Sequence, residues 1–305
     1  MSVKVFLELV EIKAKTASIL PCLLGLCLSS YYFHSVNWGL TLIFFVAMLL
    51  FNMAVDMLDN YHDYTHAVDT EHYQQKTNII GREHLSPKLV FGLLVTFVVV
   101  AAALGIYLVT KVGLPLLWMG IFCFAVGILY SSGPFPLSGL PVGEFFSGFT
   151  MGFMITLISV YVNTYQHFTW DALSLATIFL VALPDELWIS NLLLANNICD
   201  AEEDEDNRRI TIVHFIGKPA ALRAFAVKNV LAFLAIGGAV ALGLAPWATL
   251  LTFLLIPFVI KQTRILFARQ VKKETFPTAI RILLLGSLVQ VVTFALGIGI
   301  ENLLS

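Results

Sequence analysis

Two stretches of the chain carry acids and amides where an apolar run ends. Asn52, Asp56, Asp59 and Asp63 close one run, and Asn197, Asp200 and Asp204 close another. Within each set the residues are three or four apart, so a helix continuing through the junction lines them up on one stripe. Hard oxygen donors with few imidazoles nearby suit Mg²⁺, which is typically held through one or two carboxylates while phosphate oxygens complete its shell. The same polar stretches hold Lys76, Arg82, Arg208, Arg209 and Lys218, bases able to take the remaining phosphate charge. Acids, a divalent cation and bases together describe a diphosphate cradle.

Other polar residues divide between chemistry and plain structure. Glu202, Glu205 and Asp206 fall off the stripe or beyond it and read as a solvated helix end. His62 and His66 are four apart, but no HExxH pattern accompanies them, so they read as polar loop residues. The segment from Tyr130 to Glu144 holds three prolines and three glycines, which fix an irregular loop. It is either a rigid hairpin turn or a cap over a cavity mouth that carries Tyr130 and Glu144. Gly148 and Gly152 read as close helix packing. Asp185 and Glu186 lie eleven residues before Asn196 and Asn197, hence about 16 Å deeper on a helix. The proline before them predicts a break at Pro184 and a new helix start. Either the acids pack against a neighbouring helix, or Asp185 lines a polar floor and holds a proton there.

Long apolar helices must position these groups. Of 305 residues, 58% are hydrophobic and 12% charged, and mean hydropathy is +0.86, which excludes a soluble domain. A span needs about 20 apolar residues, and nine candidates satisfy this: roughly 16–34, 38–56, 88–110, 114–132, 142–162, 171–195, 219–243, 246–263 and 278–300. The expected fold is all-α, a polytopic membrane protein in which residues 1–305 form a single domain. Every lysine and arginine except Lys111 falls at one side or near its rim; by the positive-inside rule that side is cytoplasmic. The N-terminus and both acidic motifs are therefore expected in the cytoplasm, and the C-terminus outside. No basic stripe suggests nucleic acid. Cys22, Cys27, Cys123 and Cys199 lack metal spacing and read as free thiols. A weak repeat pairs Asp59, Asp63 and Gly81-Arg82 with Asp200, Asp204 and Gly217-Lys218, so the two acidic stripes read as copies of one device in pseudo-symmetric halves.

In these motifs the chain resembles the UbiA superfamily of intramembrane prenyltransferases, and within it the 1,4-dihydroxy-2-naphthoate polyprenyltransferases. The first family motif is matched by Asp59-Asn60-Tyr61-His62-Asp63 and continues to Asp69. The second is matched by Asn196-Asn197, Asp200, Asp204, Arg209, Thr211 and Gly217-Lys218, and the proline-glycine loop of the naphthoate branch by Gly133 to Leu137 with Gly143-Glu144. The chain departs from the pattern at Asp56, at Asp59 and at Asp185-Glu186. The resemblance implies nine transmembrane helices in one bundle around a central cavity. It implies Mg²⁺ held by the catalytic Asp59, Asp63, Asp200 and Asp204, with Asn60, Lys76, Arg82, Tyr130, Asn196, Asn197, Arg209 and Lys218 binding substrate. The implied reaction moves a polyprenyl group from its diphosphate to a small aromatic acceptor in the bilayer, foremost 1,4-dihydroxy-2-naphthoate in menaquinone biosynthesis. Rival acceptors are 4-hydroxybenzoate, homogentisate and a haem precursor. A rival from another class is a cation-coupled transporter, which also uses polar stripes and repeated halves.

Overall fold

The structure, a computed structural model, describes residues 1–67, 70–133, 136–206 and 209–304, without the side chains of 70–73, 203 and 206. Asp69, Pro134, Phe135 and Arg208, all named above, lie outside the described residues. Among the described residues nine helices are long and apolar enough to cross a membrane: α1 (Ile12–Tyr31), α2 (Trp38–Thr65), α3 (Pro87–Val112), α4 (Leu114–Ser131), α5 (Gly143–Thr164), α6 (Ala172–Cys199), α7 (Ile212–Ala241), α8 (Trp247–Ala268) and α9 (Lys272–Leu304). The protein is thus an all-α, multi-pass membrane protein. Large apolar side chains such as Val99, Ile106, Leu231 and Leu254 remain uncovered by protein, a surface suited to lipid.

Local chemistry sets the helix ends. Pro87 occupies the first turn of α3, where its missing N–H costs nothing, and Gly113 ends the helix with φ +95°; α4 follows at once. Asp171, outside the span, caps α6 by accepting a 2.7 Å hydrogen bond from the Ser174 N–H. That bond holds its carboxyl below the ordinary carboxylate range. Pro184 does not interrupt α6, which runs unbroken from Ala172 to Cys199. The expected break is absent because helices packed on both flanks, here α7 and α9, keep a proline-containing helix in place within a membrane. In α7 the break comes at Gly217, whose φ of +76° and ψ of 156° are not helical. Glycine is needed there because a β-carbon is strained at such an angle.

The packing separates into two compact units, Met1–Ser18 with Leu42–Pro136, and Ile19–Thr41 with Leu137–Ser305. In the first unit Leu9, Val10, Ala54, Met57, Ile79, Ile80, Val90 and Leu94 share a buried core. Phe51 stacks on Phe124 with ring centroids 3.9 Å apart, and Gly127 leaves room for the Phe51 ring.

The second unit is built on α6, whose buried Trp188 meets Phe233 of α7 edge-on, with ring centroids 6.0 Å apart, and lies against Gly286 of α9. The turn between α1 and α2 joins this unit through Asn163: its carbonyl accepts from Ser35 Oγ at 2.6 Å, and its Oδ1 accepts from the Asn37 N–H at 2.7 Å and Thr41 Oγ1 at 2.9 Å. Thr156 and Ser159 of α5 donate to the carbonyls of Pro21 and Cys22 at 3.1 and 2.8 Å. These bonds carry Ile19–Thr41 away from the unit holding the first acidic motif, so the compact units do not follow the two halves read from the repeat.

Gly148 and Gly152 of α5 pack as expected, face to face with the backbone of Glu186 on α6. A β-carbon at Gly152 would collide with that backbone, which has little freedom to move. Gly152→Ala should therefore destabilise the protein by about 1–3 kcal/mol, read as an earlier midpoint in detergent unfolding. Gly105→Ala, where nothing lies within 4 Å, should leave the midpoint unchanged.

Candidate active site

In the second unit the acidic stripe survives a joint in the helix. α6 ends at Cys199, Asp200 takes φ −96° and ψ 7°, and a short helix resumes over Ala201–Asp206. The Asp200 N–H still reaches the Asn196 carbonyl at 2.9 Å, and the Asp204 N–H reaches the Asp200 carbonyl at 2.7 Å. Asn197, Asp200 and Asp204 thus stay on one side and are buried, at 0%, 8% and 6% exposure. Buried carboxylates need charge partners. Lys272, at the start of α9, pairs with Asp200. Arg209 places Nε 3.2 Å from Asp204 Oδ1.

The proline-glycine loop is fastened to the same place. Arg209 Nη2 donates to the Ser138 carbonyl at 3.2 Å, and the Ile210 N–H donates to the Gly139 carbonyl at 3.0 Å. Glu144, at the start of α5 and 5% exposed, accepts a 2.8 Å hydrogen bond from Asn197 Nδ2. Beside these contacts lies a pocket of about 190 Å³ lined by Asp204, Arg209, Thr211, His214, Gly217 and Lys218 among others. Lys218 reaches exposed Glu202 at 3.0 Å. Asn196, half-buried one position before Asn197, lies in the last turn of α6.

The first unit arranges its stripe differently. α2 extends to Thr65, so Asn52, Asp56, Asp59 and Asp63 do share one helix at the spacing read from the sequence. Lys15, 1% exposed, donates to Asn52 Oδ1 at 2.6 Å and pairs with Asp56. This gives the unusual Asp56 a partner and a structural role. Asp59 is exposed and Asp63 half-buried at the end of the helix. Asn60 is turned onto backbone, donating to the Asp56 carbonyl at 3.0 Å while its own carbonyl accepts from Asn78 Nδ2 at 2.9 Å.

Lys76 is exposed in the turn Thr70–Thr77, and Tyr130 is half-buried in the last turn of α4. Arg82 is engaged by Glu8 at 2.6 Å and Glu83 at 3.3 Å. The hydrogen bond to Glu8, before any other influence, holds its guanidinium above the ordinary arginine value. His62 and His66 stack on each other with centroids 4.2 Å apart.

Two buried acids, two bases and a pocket at the joint of a membrane helix agree with the comparisons to known proteins. The UbiA prenyltransferase family matches residues 18–288. The chain belongs to the UbiA prenyltransferase family. Among relatives, the 1,4-dihydroxy-2-naphthoate octaprenyltransferase of Bacillus subtilis (strain 168) is 31% identical over 247 residues, covering 79% of this chain and 75% of that protein. The apo structure of a UbiA homolog from Aeropyrum pernix K1 superposes with a TM-score of 0.71 at 16% identity, covering 93% of this chain and 98% of that one. A UbiA homolog from Archaeoglobus fulgidus bound to DMAPP and Mg²⁺ gives a TM-score of 0.61 at 12% identity, covering 95% and 99%.

As a UbiA prenyltransferase the chain is an enzyme, and its carboxylates can be tested against the divalent ion the family implies. Among the described residues no three carboxylates, imidazoles or thiols converge tightly enough to hold a metal by themselves. Mg²⁺ needs only one or two carboxylates when phosphate oxygens complete its shell. Asp200 and Asp204, one turn apart beside a pocket that Arg209 and Lys218 also line, offer that pair, so the donor set fits.

Two residues of this UbiA chain escaped the reading of its motifs. Lys272 is 72 positions from Asp200, and no spacing rule connects them. Lys228 was assigned to the charged rim, yet it lies within α7, ten residues and roughly 15 Å beyond Lys218, and donates to Ser190 Oγ of α6 at 2.7 Å. A lone lysine inside an apolar run was the available signal. The acid pair also divides unexpectedly: Asp185, 0% exposed, lies against Ser287 of α9, whereas Glu186 is the one that interacts with Lys228.

Removing one partner of a buried ion pair leaves an uncompensated charge, so Lys15→Met should destabilise the protein by about 3–5 kcal/mol. Adding Asp56→Leu should restore most of the loss. A double-mutant cycle on detergent unfolding checks this, and single-variant losses that simply add up in the double variant would mean that the pair is not coupled.

Proposed function

We propose that this prenyltransferase transfers a polyprenyl group from its diphosphate to 1,4-dihydroxy-2-naphthoate in menaquinone biosynthesis, with Mg²⁺ as cofactor. The observation that carries the reading is the buried Asp200 and Asp204 pair, of which Asp204 lines a pocket together with Arg209 and Lys218. The naphthoate activity named for the Bacillus subtilis relative supports the choice of acceptor, and the Archaeoglobus fulgidus structure with DMAPP and Mg²⁺ supports the choice of donor and metal.

As the family motifs imply, Asp200 and Asp204, and likewise Asp59 and Asp63, serve the metal and the diphosphate. Arg209 and Lys218 hold phosphate oxygens, and Lys76 and Arg82 add positive charge in the polar stretch that follows the first motif. Asn197, fixed by Glu144, presents its amide at the same stripe. Mg²⁺, when bound, supplies positive charge against the diphosphate as the allylic C–O bond breaks. The electron pair of that bond leaves on the diphosphate. The surrounding apolar helices keep water from the allylic cation until the electron-rich ring attacks it. A new C–C bond forms, and the carboxylate at the attacked carbon leaves as CO₂ to restore the aromatic ring. The excess of Lys and Arg on one side supports a cytoplasmic location for both motifs and the N-terminus.

Asp63→Asn and Asp200→Asn should each abolish prenyl transfer while the protein stays in the membrane. Charge removal at Arg209 or Lys218 should raise the donor KM more than the acceptor KM, the pattern of lost ground-state binding. The assay is release of prenylated product from membranes given a polyprenyl diphosphate, Mg²⁺ and one aromatic acid at a time. Product from 4-hydroxybenzoate or homogentisate in place of the naphthoate would reassign the acceptor. Near-normal turnover of either aspartate variant at saturating Mg²⁺ would remove the metal role.

A further inference from the structure

Below the acidic stripe the same face of α6 continues into the membrane with polar residues. Glu186, Ser190 and Asn197 are four and seven positions apart, so they share a side of the helix. Two partners converge on that side. Glu144 of α5 accepts from Asn197 Nδ2 at 2.8 Å. Lys228 of α7 donates to Ser190 Oγ at 2.7 Å and interacts electrostatically with both Glu144 and Glu186.

The cluster has a surplus of one kind of atom. Glu144 Oε2, Glu186 Oε2 and Asn197 Oδ1 are buried and have no hydrogen-bond partner among the described residues, and Glu144 and Asn197 are only 5% and 0% exposed. All three are acceptors. Buried acceptors without donors are uncommon and call for an explanation, and what would satisfy them is a molecule that brings O–H groups into the membrane interior. A diphosphate, rich in acceptors and negative charge, is the wrong chemistry for this place. A ring carrying hydroxyl groups is the right one.

We infer that Glu144, Asn197, Glu186 and Lys228 form the subsite that grips the hydroxyl groups of the aromatic acceptor. The inference rests on the prenyl-transfer reading above and adds where and by what chemistry the acceptor is recognised. The ring hydroxyls donate to the carboxylates of Glu144 and Glu186 and to the Asn197 carbonyl. Lys228 keeps the two carboxylates together and faces the negative charge that gathers on the ring oxygens as the ring becomes nucleophilic. Asn197 also belongs to the acidic stripe, so the residue that borders the diphosphate site borders the acceptor as well.

The test uses the full-length protein in lipid nanodiscs, with 1,4-dihydroxy-2-naphthoate and its 1,4-dimethoxy counterpart as probes and ligand fluorescence as the binding signal. Wild type should bind the diol and bind the dimethoxy compound about tenfold more weakly or worse, because a site built for hydroxyl donors rejects a ring that lacks them. Lys228→Met and Glu186→Gln should each raise the Kd for the diol and the acceptor KM by about tenfold while the donor KM stays within about twofold. Equal binding of the two probes overturns the inference, because waters would then satisfy those atoms. So does an unchanged acceptor Kd and KM in both variants. If one variant fails to fold, the two probes on wild type decide alone. Absence of transfer to any hydroxylated ring by wild type would sink the prenyl-transfer reading and the subsite with it, whereas transfer without discrimination between the probes sinks the subsite only.

Discussion

A charge inside hydrocarbon has to find its partner within the protein, since no water is there to receive it. Much of the polar architecture of this chain follows from that constraint. Lys15 is buried with Asn52 and Asp56, Asp200 with Lys272, Asp204 with Arg209, and Lys228 among Ser190, Glu144 and Glu186. Apart from Asp204 and Arg209, five residues apart, the partners come from different parts of the sequence. The pairs therefore do more than neutralise charge: they fix which helices lie side by side within a unit, in a medium where apolar contact alone discriminates poorly between neighbours.

Close backbone packing does the rest of the positioning. Gly148 and Gly152 let α5 approach α6 at Glu186, and that approach sets the height at which Glu144, one turn before Gly148, meets Asn197. A glycine pair that looks purely structural thus determines a polar contact several residues away. The loop between α4 and α5 is held at its far end by its Gly139 and Ser138 carbonyls, which accept from the Ile210 N–H and the Arg209 guanidinium. Its prolines lower the entropy of the connection, and its attachment to the second motif ties the order of the loop to the order of the site.

Helix number and the line of acids were legible because both are local patterns. Twenty apolar residues and spacings of three and four need no knowledge of tertiary contacts, and all nine spans occur with ends shifted by several residues. The largest shift is at α2, which extends nine residues past the apolar run, because Asp56, Asp59 and Asp63 can continue a helix as well as any polar residue at a rim. What was not legible depends on contacts distant in sequence. Nothing local ties Lys272 to Asp200, Lys15 to Asn52, or Lys228 to Ser190. Pro184 shows the opposite failure: a strong local signal for a break was overridden by packing on both sides of α6.

The likeness between the two acidic stripes is a likeness of spacing and not of physics. In the first, the pair nearer the membrane interior, Asn52 and Asp56, is taken up by a buried lysine, while Asp59 at the rim is exposed. In the second it is the rim acids, Asp200 and Asp204, that are buried, and their partners Lys272 and Arg209 are half or more exposed or nearly so, at 51% and 40%. A carboxylate shielded from water feels a nearby charge far more strongly than one that is solvated. The buried charge of the second stripe therefore acts most strongly at its helix end, where Lys272 and Arg209 answer it, and that of the first acts deeper along its helix, where Lys15 answers it. Two stripes of equal spacing thus differ in where their buried charge lies, and it is burial, which spacing cannot reveal, that sets the difference.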